Sequence, residues 1–194
     1  TVFPNSYSLE FDGTDDYLSI SEITYSAGFE ITISMWLYPD TLSNDGLLDA
    51  ASGDNSRFYF ANATSFIWRF NGGTVHTTTL DSGWVTGEWQ HLVVTKDSSD
   101  VVRFYRNGVE NSATFTEADD SYKLGRIGVG NNSYYWNGKM DEVAVFDAAV
   151  NVADLRDGSK PADLTGMSNL QGWWRMGDGT LDDGNVAGNG LIAD

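Results

Sequence analysis

The sequence predicts an all-β protein, a two-sheet antiparallel β-sandwich with at most one short helix near the C-terminal end. Apolar and polar residues alternate along Phe29–Leu37, with the period of two that is typical of a strand. About a dozen segments of this kind follow one another with turn residues between them, as in sandwich proteins. Helical character is confined to Asp147–Arg156, which could hold one or two turns before Gly158 and Pro161.

The clearest strand, Phe29–Leu37, has two unlike faces. Its odd-numbered residues are apolar and should face the core, whereas Trp36 lies on the opposite face, towards a ligand or the second sheet. Asn107–Gly108 predicts a tight hairpin, because both residues accept positive φ. The other predicted strands are Tyr7–Phe11, Tyr17–Ile20, Gly46–Ala50, Arg57–Ala61, Ser65–Phe70, Val75–Leu80, Gln90–Lys96, Val101–Arg106, Val109–Phe115, Lys123–Val129, Lys139–Phe146 and Gln171–Met176.

Composition narrows the function classes. The chain of 194 residues suits one domain, which we place at residues 1–176, with a Gly/Asp-rich tail or linker at 177–194. The net charge of −17 makes nucleic acid and anionic membranes improbable partners and favours divalent cations. The absence of cysteine excludes disulfides, zinc-thiolate sites and thiol nucleophiles. No apolar run approaches the roughly 20 residues of a membrane-spanning helix.

Three phrases carry a family resemblance: Ser8–Leu18 near the start, Gly87–Thr95 in the middle and Trp136–Phe146 late in the chain. In this order they resemble the laminin-G-like branch of the concanavalin A-like lectins and glucanases, which includes the pentraxins. The resemblance implies a two-sheet jelly roll that binds glycans or proteins, often with calcium. It also implies a module of a secreted, cell-surface or phage virion protein.

A calcium site is expected near the first phrase. Calcium prefers carboxylate, amide and carbonyl oxygens, and Asp12, Thr14 and Asp16 alternate in one short loop. The loop lacks the glycine and glutamate of an EF-hand. The resemblance implies that a Ca²⁺ ion joins Asp12 and the Gly13 carbonyl to Asp141, with Asp16 nearby. The alternative is that Asp12 and Asp16 only stabilise a turn.

A second possible ligand site follows from the similarity to pentraxins, which hold calcium between an Asp-Asn pair and a late acid-amide cluster. Asp54 and Asn55 occupy the early position, and Asn131 and Asn132 occupy the late one. The late cluster here lacks acids. The pattern therefore allows either a single weak calcium ion or direct hydrogen bonds from the amides to a sugar.

An aromatic segment follows these amides. Tyr134, Tyr135 and Trp136 offer rings that stack on sugars, beside amides that bond sugar hydroxyls. We therefore include all three in the predicted glycan site. The alternative is that Tyr135 and Trp136 cover the edge of the core.

Catalysis is not expected. Glucanases of this fold carry a Glu-x-Asp-x-x-Glu pattern, which is absent, and Asp141 and Glu142 are adjacent, so that their side chains should diverge along a strand. His91 lies in a strand that is apolar on both faces and is interpreted as a hydrogen-bonded core histidine.

The sequence thus predicts a non-catalytic recognition or adhesion module that binds carbohydrate with Ca²⁺. Its location would be extracellular, on a cell surface or on a virion. The alternative is a structural virion decoration or spacer domain that contacts another protein subunit and binds no sugar. Solvent exposure of Tyr134, Tyr135 and Trp136 would favour the first.

Overall fold

The computed structural model describes residues 5–51, 54–118, 120–131 and 133–178, together with the backbone of 191–193. It shows a β-sandwich of two large antiparallel sheets, which confirms the predicted fold class. A single turn of 3₁₀ helix, Val152–Leu155, lies within the predicted helical segment. The described part of the chain has no helix long and apolar enough to cross a bilayer.

The strands of the first sheet are β1 (Leu9–Asp12), β3 (Ile31–Pro39), β8 (Gln90–Lys96), β9 (Val101–Arg106), β10 (Val109–Glu110), β11 (Phe115–Thr116), β15 (Asn137–Phe146) and β18 (Leu170–Trp174). They run in the order β1-β15-β3-β8-β9-β10, with β11 paired to β9 and β18 paired to β15. The strands of the second sheet are β2 (Tyr17–Tyr25), β4 (Asp45–Asp49), β5 (Arg57–Asn62), β6 (Ser65–Arg69), β7 (Val75–Thr79), β12 (Tyr122–Ile127) and β19 (Leu191–Ala193). They run in the order β19-β2-β12-β4-β5-β6-β7. Two small hairpins complete the fold: β13 (Val129–Gly130) with β14 (Tyr134–Tyr135), and β16 (Arg156–Asp157) with β17 (Lys160–Pro161).

The main core lies between the two sheets. The predicted apolar face of β3 is buried there, together with aromatic side chains of β5 and β6 that stack on one another, as Phe58 does on Phe66. Trp174 joins this core, whereas its neighbour Trp173 points the other way. The two tryptophans therefore face opposite sides of the sheet.

A second apolar cluster covers part of the outer face of the first sheet. Val93, Ala144 and Trp173 contribute from the strands, and Leu155 and Leu164 contribute from the segment that follows β15. Strands β3 and β8 are therefore almost wholly buried on both faces, as the sequence of β8 predicted. The outer face of the second sheet has no comparable cover among the described residues, since Arg57, Ile67 and Arg69 on it remain partly exposed.

The predicted tail at 177–194 falls mostly outside the described residues. Within it, the backbone of Leu191–Ala193 pairs antiparallel with β2. Gly177 and Asp178 lie three and four residues after the end of β18, and Asp178 is part of the site described below.

Candidate functional site

An irregularity in β15 brings two acidic side chains together. The register between β15 and β3 shifts between Asp141 and Ala144, as at a β-bulge, and Glu142 adopts a left-handed conformation with a φ of 47°. A non-glycine residue with positive φ costs free energy and marks a functional position more often than chance. The sequence prediction that Asp141 and Glu142 diverge is wrong, because the bulge interrupts the alternation of the strand.

The same point of β15 lies at a gap between two neighbouring strands. On this side of β15, β18 ends with Trp174 opposite Val143, and β1 begins with Leu9 opposite Met140. The chain segments at this gap, before β1 and after β18, meet through Asp178. Its carboxylate accepts hydrogen bonds from the backbone N–H groups of Ser6 at 2.7 Å and Tyr7 at 2.9 Å.

Asp141, Glu142 and Asp178 form a carboxylate trio. One oxygen from each side chain lies within 4.8 Å of the others, and Asp141 and Glu142 are buried. Glu142 accepts hydrogen bonds from Trp173 Nε1 and, at 3.3 Å, from Arg175 Nε. Arg175 is the cation that pairs with the trio among the described ion pairs, so negative charge stays in excess.

The pKa values of the two buried acids, Asp141 and Glu142, are both raised. Burial raises the pKa of Asp141 to about 7, and the nearby Asp178 charge adds to the shift. Burial, followed by the Asp141 charge, raises the pKa of Glu142 to about 8. Each carboxylate therefore resists ionising unless a positive charge joins the trio.

A groove opens beside the trio. It encloses about 290 Å³, close to the lower end of ligand-site volumes, and both aromatic and polar groups line it. Trp36 and Asp141 contribute from the sheet, and Trp89, at the start of β8, is 39% exposed. The remaining walls are the N-terminal segment Asn5–Ser8 and the tip of the β16–β17 hairpin, Ser159–Pro161.

The aromatic rings of the groove are held in different ways. Trp36 stacks on His91 with ring centroids 4.7 Å apart, and Trp89 makes an edge contact with Tyr38. Tyr7 is 65% exposed, although its backbone N–H is bound to Asp178. Asp178 thus holds the backbone of the N-terminal wall of the groove in place. Asp141 belongs both to the carboxylate trio and to the lining of the groove.

Two larger cavities lie elsewhere. The first, about 340 Å³, is lined partly by core side chains such as Phe66 and Phe104 at one end of the sandwich. The second, about 440 Å³, lies between β9 and residues 149–153. Neither includes a member of the carboxylate trio.

The structure does not assemble the calcium set expected from sequence as one site. Asp12 pairs with Asn137, and Asp141 lies four residues further along β15, about 13 Å at the rise of a strand. Asp12 and Asp16 instead group with Asp15 in an exposed loop, where Asp12 accepts from the Thr14 N–H and Asp16 from the Asp12 N–H. Gly13, with a φ of 77°, packs against Asn137 in this turn.

The pentraxin-like set is also divided. Asp54 accepts hydrogen bonds from Ser56, and Asn55 donates to the Asn71 carbonyl at the β6–β7 turn. Asn131 follows β13, which packs on β4 and β5 near Tyr59. Asn132 lies outside the described residues.

The three residues of the aromatic segment differ in their exposure to solvent. Tyr134 packs on Tyr59 with ring centroids 5.1 Å apart, and both Tyr134 and Tyr135 are partly exposed. Trp136 is fully buried in the main core, near Phe60. Its side chain therefore follows the alternative reading of the sequence, as a core group, and offers no face to a sugar in this structure.

Replacing Trp136 should accordingly affect stability and not binding. Trp136→Phe leaves a small cavity in the core, and we expect a loss of about 1–2 kcal/mol in the free energy of unfolding. Chemical denaturation would measure this loss, and glycan affinity should stay unchanged. A selective loss of affinity with unchanged stability would contradict the placement.

His91 is confirmed as a core residue. It is fully buried, and its Nε2 lies 2.8 Å from Ser34 Oγ. Burial, followed by the charge of Arg156, lowers its pKa to about 3, which keeps the ring neutral. Its ring stacks on Trp36, which lines the groove.

Sequence comparison assigns the family. A laminin G family model, described as the concanavalin A-like lectin/glucanases superfamily, matches residues 12–156. The chain therefore belongs to this superfamily. No curated protein matches it in sequence.

Solved structures show the same fold at low sequence identity. A putative carbohydrate binding protein from Bacteroides ovatus is 15% identical, with a TM-score of 0.72 over 98% of this chain and 59% of that one. A heptameric SAP-like pentraxin from Limulus polyphemus is also 15% identical, with a TM-score of 0.65 over 96% of this chain and 94% of the pentraxin. Domain 4 of AbnA, a GH43 extracellular arabinanase from Geobacillus stearothermophilus solved with arabinotriose, is 16% identical, with a TM-score of 0.56 over 78% of this chain and all of that domain. The chain thus spans less than two thirds of the Bacteroides ovatus protein.

Proposed function

We propose that this chain is a non-catalytic carbohydrate-binding module and that the groove beside the carboxylate trio is its glycan site. The observation that carries the proposal is the convergence of two exposed rings, Tyr7 and Trp89, with the polar groups of the groove, which Trp36 also lines although it is only 5% exposed. Aromatic rings pack on the apolar faces of pyranose rings, while hydroxyl, amide and carboxylate groups bond the sugar hydroxyls. The volume suits a short stretch of glycan.

Calcium belongs to the same proposal. The trio offers three hard oxygen donors, and a divalent cation would offset the charge that now raises two pKa values. The residues that would hold the ion are Asp141, Glu142 and Asp178. The ion would supply positive charge at the gap between β1 and β18, and Asp178 would keep Ser6 and Tyr7 in place along the groove.

The placement of the carboxylates favours binding over hydrolysis. Glycosidases need two carboxyl groups that both reach the scissile bond. Asp141 lines the groove, whereas Glu142 is buried against Trp173 and Arg175 and is not part of the lining. A single carboxylate at the glycan supports orientation and not acid–base catalysis.

The name of the Bacteroides ovatus protein and the arabinotriose in the AbnA domain agree with this function, although they report on those proteins. We further propose that the chain works extracellularly, on a cell surface or on a virion, as part of a larger protein.

A glycan array tests the function directly. The domain would be applied once with calcium and once with chelator, and we expect binding to a defined class of sugars that weakens in chelator. Equal glycan binding with calcium and with chelator would contradict the proposed role of calcium but not carbohydrate binding itself. A blank array in both conditions would contradict carbohydrate binding and favour a structural module with a protein partner.

A further inference from the structure

Arginine is concentrated on the open face of the second sheet. The register places Arg126 opposite Asp49, Asp49 opposite Arg57, and Arg57 opposite Arg69. One row across β12, β4, β5 and β6 therefore carries three arginines and one aspartate, in a protein with a net charge of −17. We call this row the arginine row.

All members of the row point away from the core. Their strand neighbours Leu48, Phe58 and Trp68 are fully buried between the sheets, and side chains alternate along a strand. Asp49 and Arg126 form an ion pair at 3.0 Å, which confirms that these two share the outer face.

Arg57 and Arg69 are the unusual pair. They lie directly opposite each other on neighbouring strands, where like charges destabilise a sheet. Among the described residues, neither forms an ion pair, and the Nε atom of each is buried without a hydrogen-bond acceptor. A buried donor without an acceptor costs free energy, so the pair is a costly arrangement within the sheet. Both residues are partly exposed, and an anion at the exposed part of the two guanidinium groups would offset their like charge.

Aromatic rings adjoin this pair. Tyr59 lies two residues from Arg57 on the same face of β5, and Tyr134 packs against Tyr59. Burial raises the pKa of Tyr59, while the charge of Arg57, a side-chain hydrogen bond with Arg57 and the charge of Arg69 oppose the shift. The Tyr59 hydroxyl therefore lies beside the arginine pair.

We propose that the arginine row, with Tyr59 and Tyr134, binds the carboxylate groups of an acidic polysaccharide. Guanidinium groups bind carboxylates with two parallel hydrogen bonds, and the tyrosine rings would contact the apolar face of the neighbouring sugar. The open sheet surface accepts an extended polymer. The choice of carbohydrate over other polyanions rests on the function proposed above, whereas the location of the site does not.

The overall negative charge does not oppose this binding at close range. At physiological ionic strength charges are screened beyond about 8 Å, so a bound carboxylate responds mainly to the row itself. Within the row, the charge of Asp49 is offset by its ion pair with Arg126, and Arg57 and Arg69 supply the net positive charge. Binding should therefore weaken as salt rises.

The test uses the whole chain and three polymers: polygalacturonate, a neutral galactan and poly-glutamate. We expect wild type to bind polygalacturonate and the Arg57→Gln/Arg69→Gln variant to lose affinity on the order of tenfold or more. The Arg103→Gln/Lys139→Gln control, which removes equal charge from strands β9 and β15 of the first sheet, should keep the affinity. The Arg57→Lys/Arg69→Lys variant keeps the charge without the planar fork and should show an intermediate loss.

Three outcomes would overturn the inference: no binding of polygalacturonate, equal losses in the Arg57→Gln/Arg69→Gln variant and the Arg103→Gln/Lys139→Gln control, or poly-glutamate bound as well as the sugar polymer. Binding of a neutral glycan by wild type, together with no binding of polygalacturonate, would leave the groove proposal standing while the arginine row fails. The melting temperature of the Gln variant should match or exceed that of wild type, because a like-charge contact is removed. Such a result would show that lost binding does not reflect misfolding.

Discussion

Calcium at about one hundred times its dissociation constant is expected to raise the melting temperature of the wild-type protein by roughly 5–10 °C. The rise is expected because the ion binds only the folded state. The three carboxylates come from β15 and from the segment after β18, and folding alone brings these segments together with the N-terminal segment that Asp178 binds. Asp141→Asn should remove most of this rise, because it deletes one of three carboxylate ligands with little change in shape. Differential scanning calorimetry in calcium and in chelator measures both effects.

The same variant should behave oppositely in chelator. Folded wild type then holds two acids whose pKa values, about 7 and about 8, lie well above the ordinary values of 3.8 and 4.5. Between about pH 4 and about pH 8, these two acids hold more protons in the folded state than in the unfolded state. The free energy of unfolding therefore falls as the pH rises through this range. At pH 8 in chelator, Asp141→Asn should therefore be at least as stable as wild type.

Asp16→Asn is the matched control. It removes one carboxylate from the exposed Asp12–Asp15–Asp16 loop, which the sequence had suggested as part of the metal site. It should keep the full response to calcium. Equal melting losses for Asp141→Asn in calcium and in chelator would exclude a metal role for the trio.

The two acidic groups, the carboxylate trio and the Asp12–Asp16 loop, show which parts of the fold and of the site could be predicted from the sequence. Alternation and turn residues predicted most strands within a few residues, because the pattern of buried and exposed positions follows directly from strand geometry. The structure places Asp141 of the late acidic phrase beside Glu142 and Asp178, whereas Asp12 and Asp16 lie together in a separate loop. This grouping depends on a bulge at Glu142 that sequence periodicity does not predict.

Asp178 shows a second limit. It lies in a Gly/Asp-rich stretch that reads as a tail, yet it follows β18 by four residues and meets the segment before β1. Only the end-to-end placement of β1 and β18 along β15 brings these termini together. The arginine row likewise depends on cross-strand register, which single-strand patterns do not specify.

The aromatic residues divide for the same reason. The sequence analysis included Trp136 in the glycan site because it follows a group of amide side chains, but Trp136 is buried in the core. Trp89, the residue immediately before β8, is partly exposed instead. A signal did exist: Trp89 precedes a strand that is buried on both faces and stands just outside it. Exposed tryptophan at the edge of a groove is the expected arrangement for stacking on a sugar.

Trp89→Ala is therefore expected to weaken binding of the array-identified glycan on the order of 30-fold, equivalent to about 2 kcal/mol, as for the loss of a central aromatic contact. The fold should be retained, since Trp89 is 39% exposed and contacts Tyr38 only by its edge. Isothermal titration with the same glycan measures the affinity, and the melting temperature checks the fold.

Two companion variants sharpen this test. Trp89→Phe keeps an aromatic face and should retain part of the affinity, whereas Val109→Ala, at a side chain 71% exposed outside the groove, should retain all of it. If Trp89→Ala binds as tightly as wild type, the glycan lies elsewhere, and the open face that carries Tyr59 and Tyr134 becomes the next surface to probe. If both Trp89→Ala and Tyr7→Ala lose binding while Val109→Ala does not, the groove between the N-terminal segment and β8 is the glycan site.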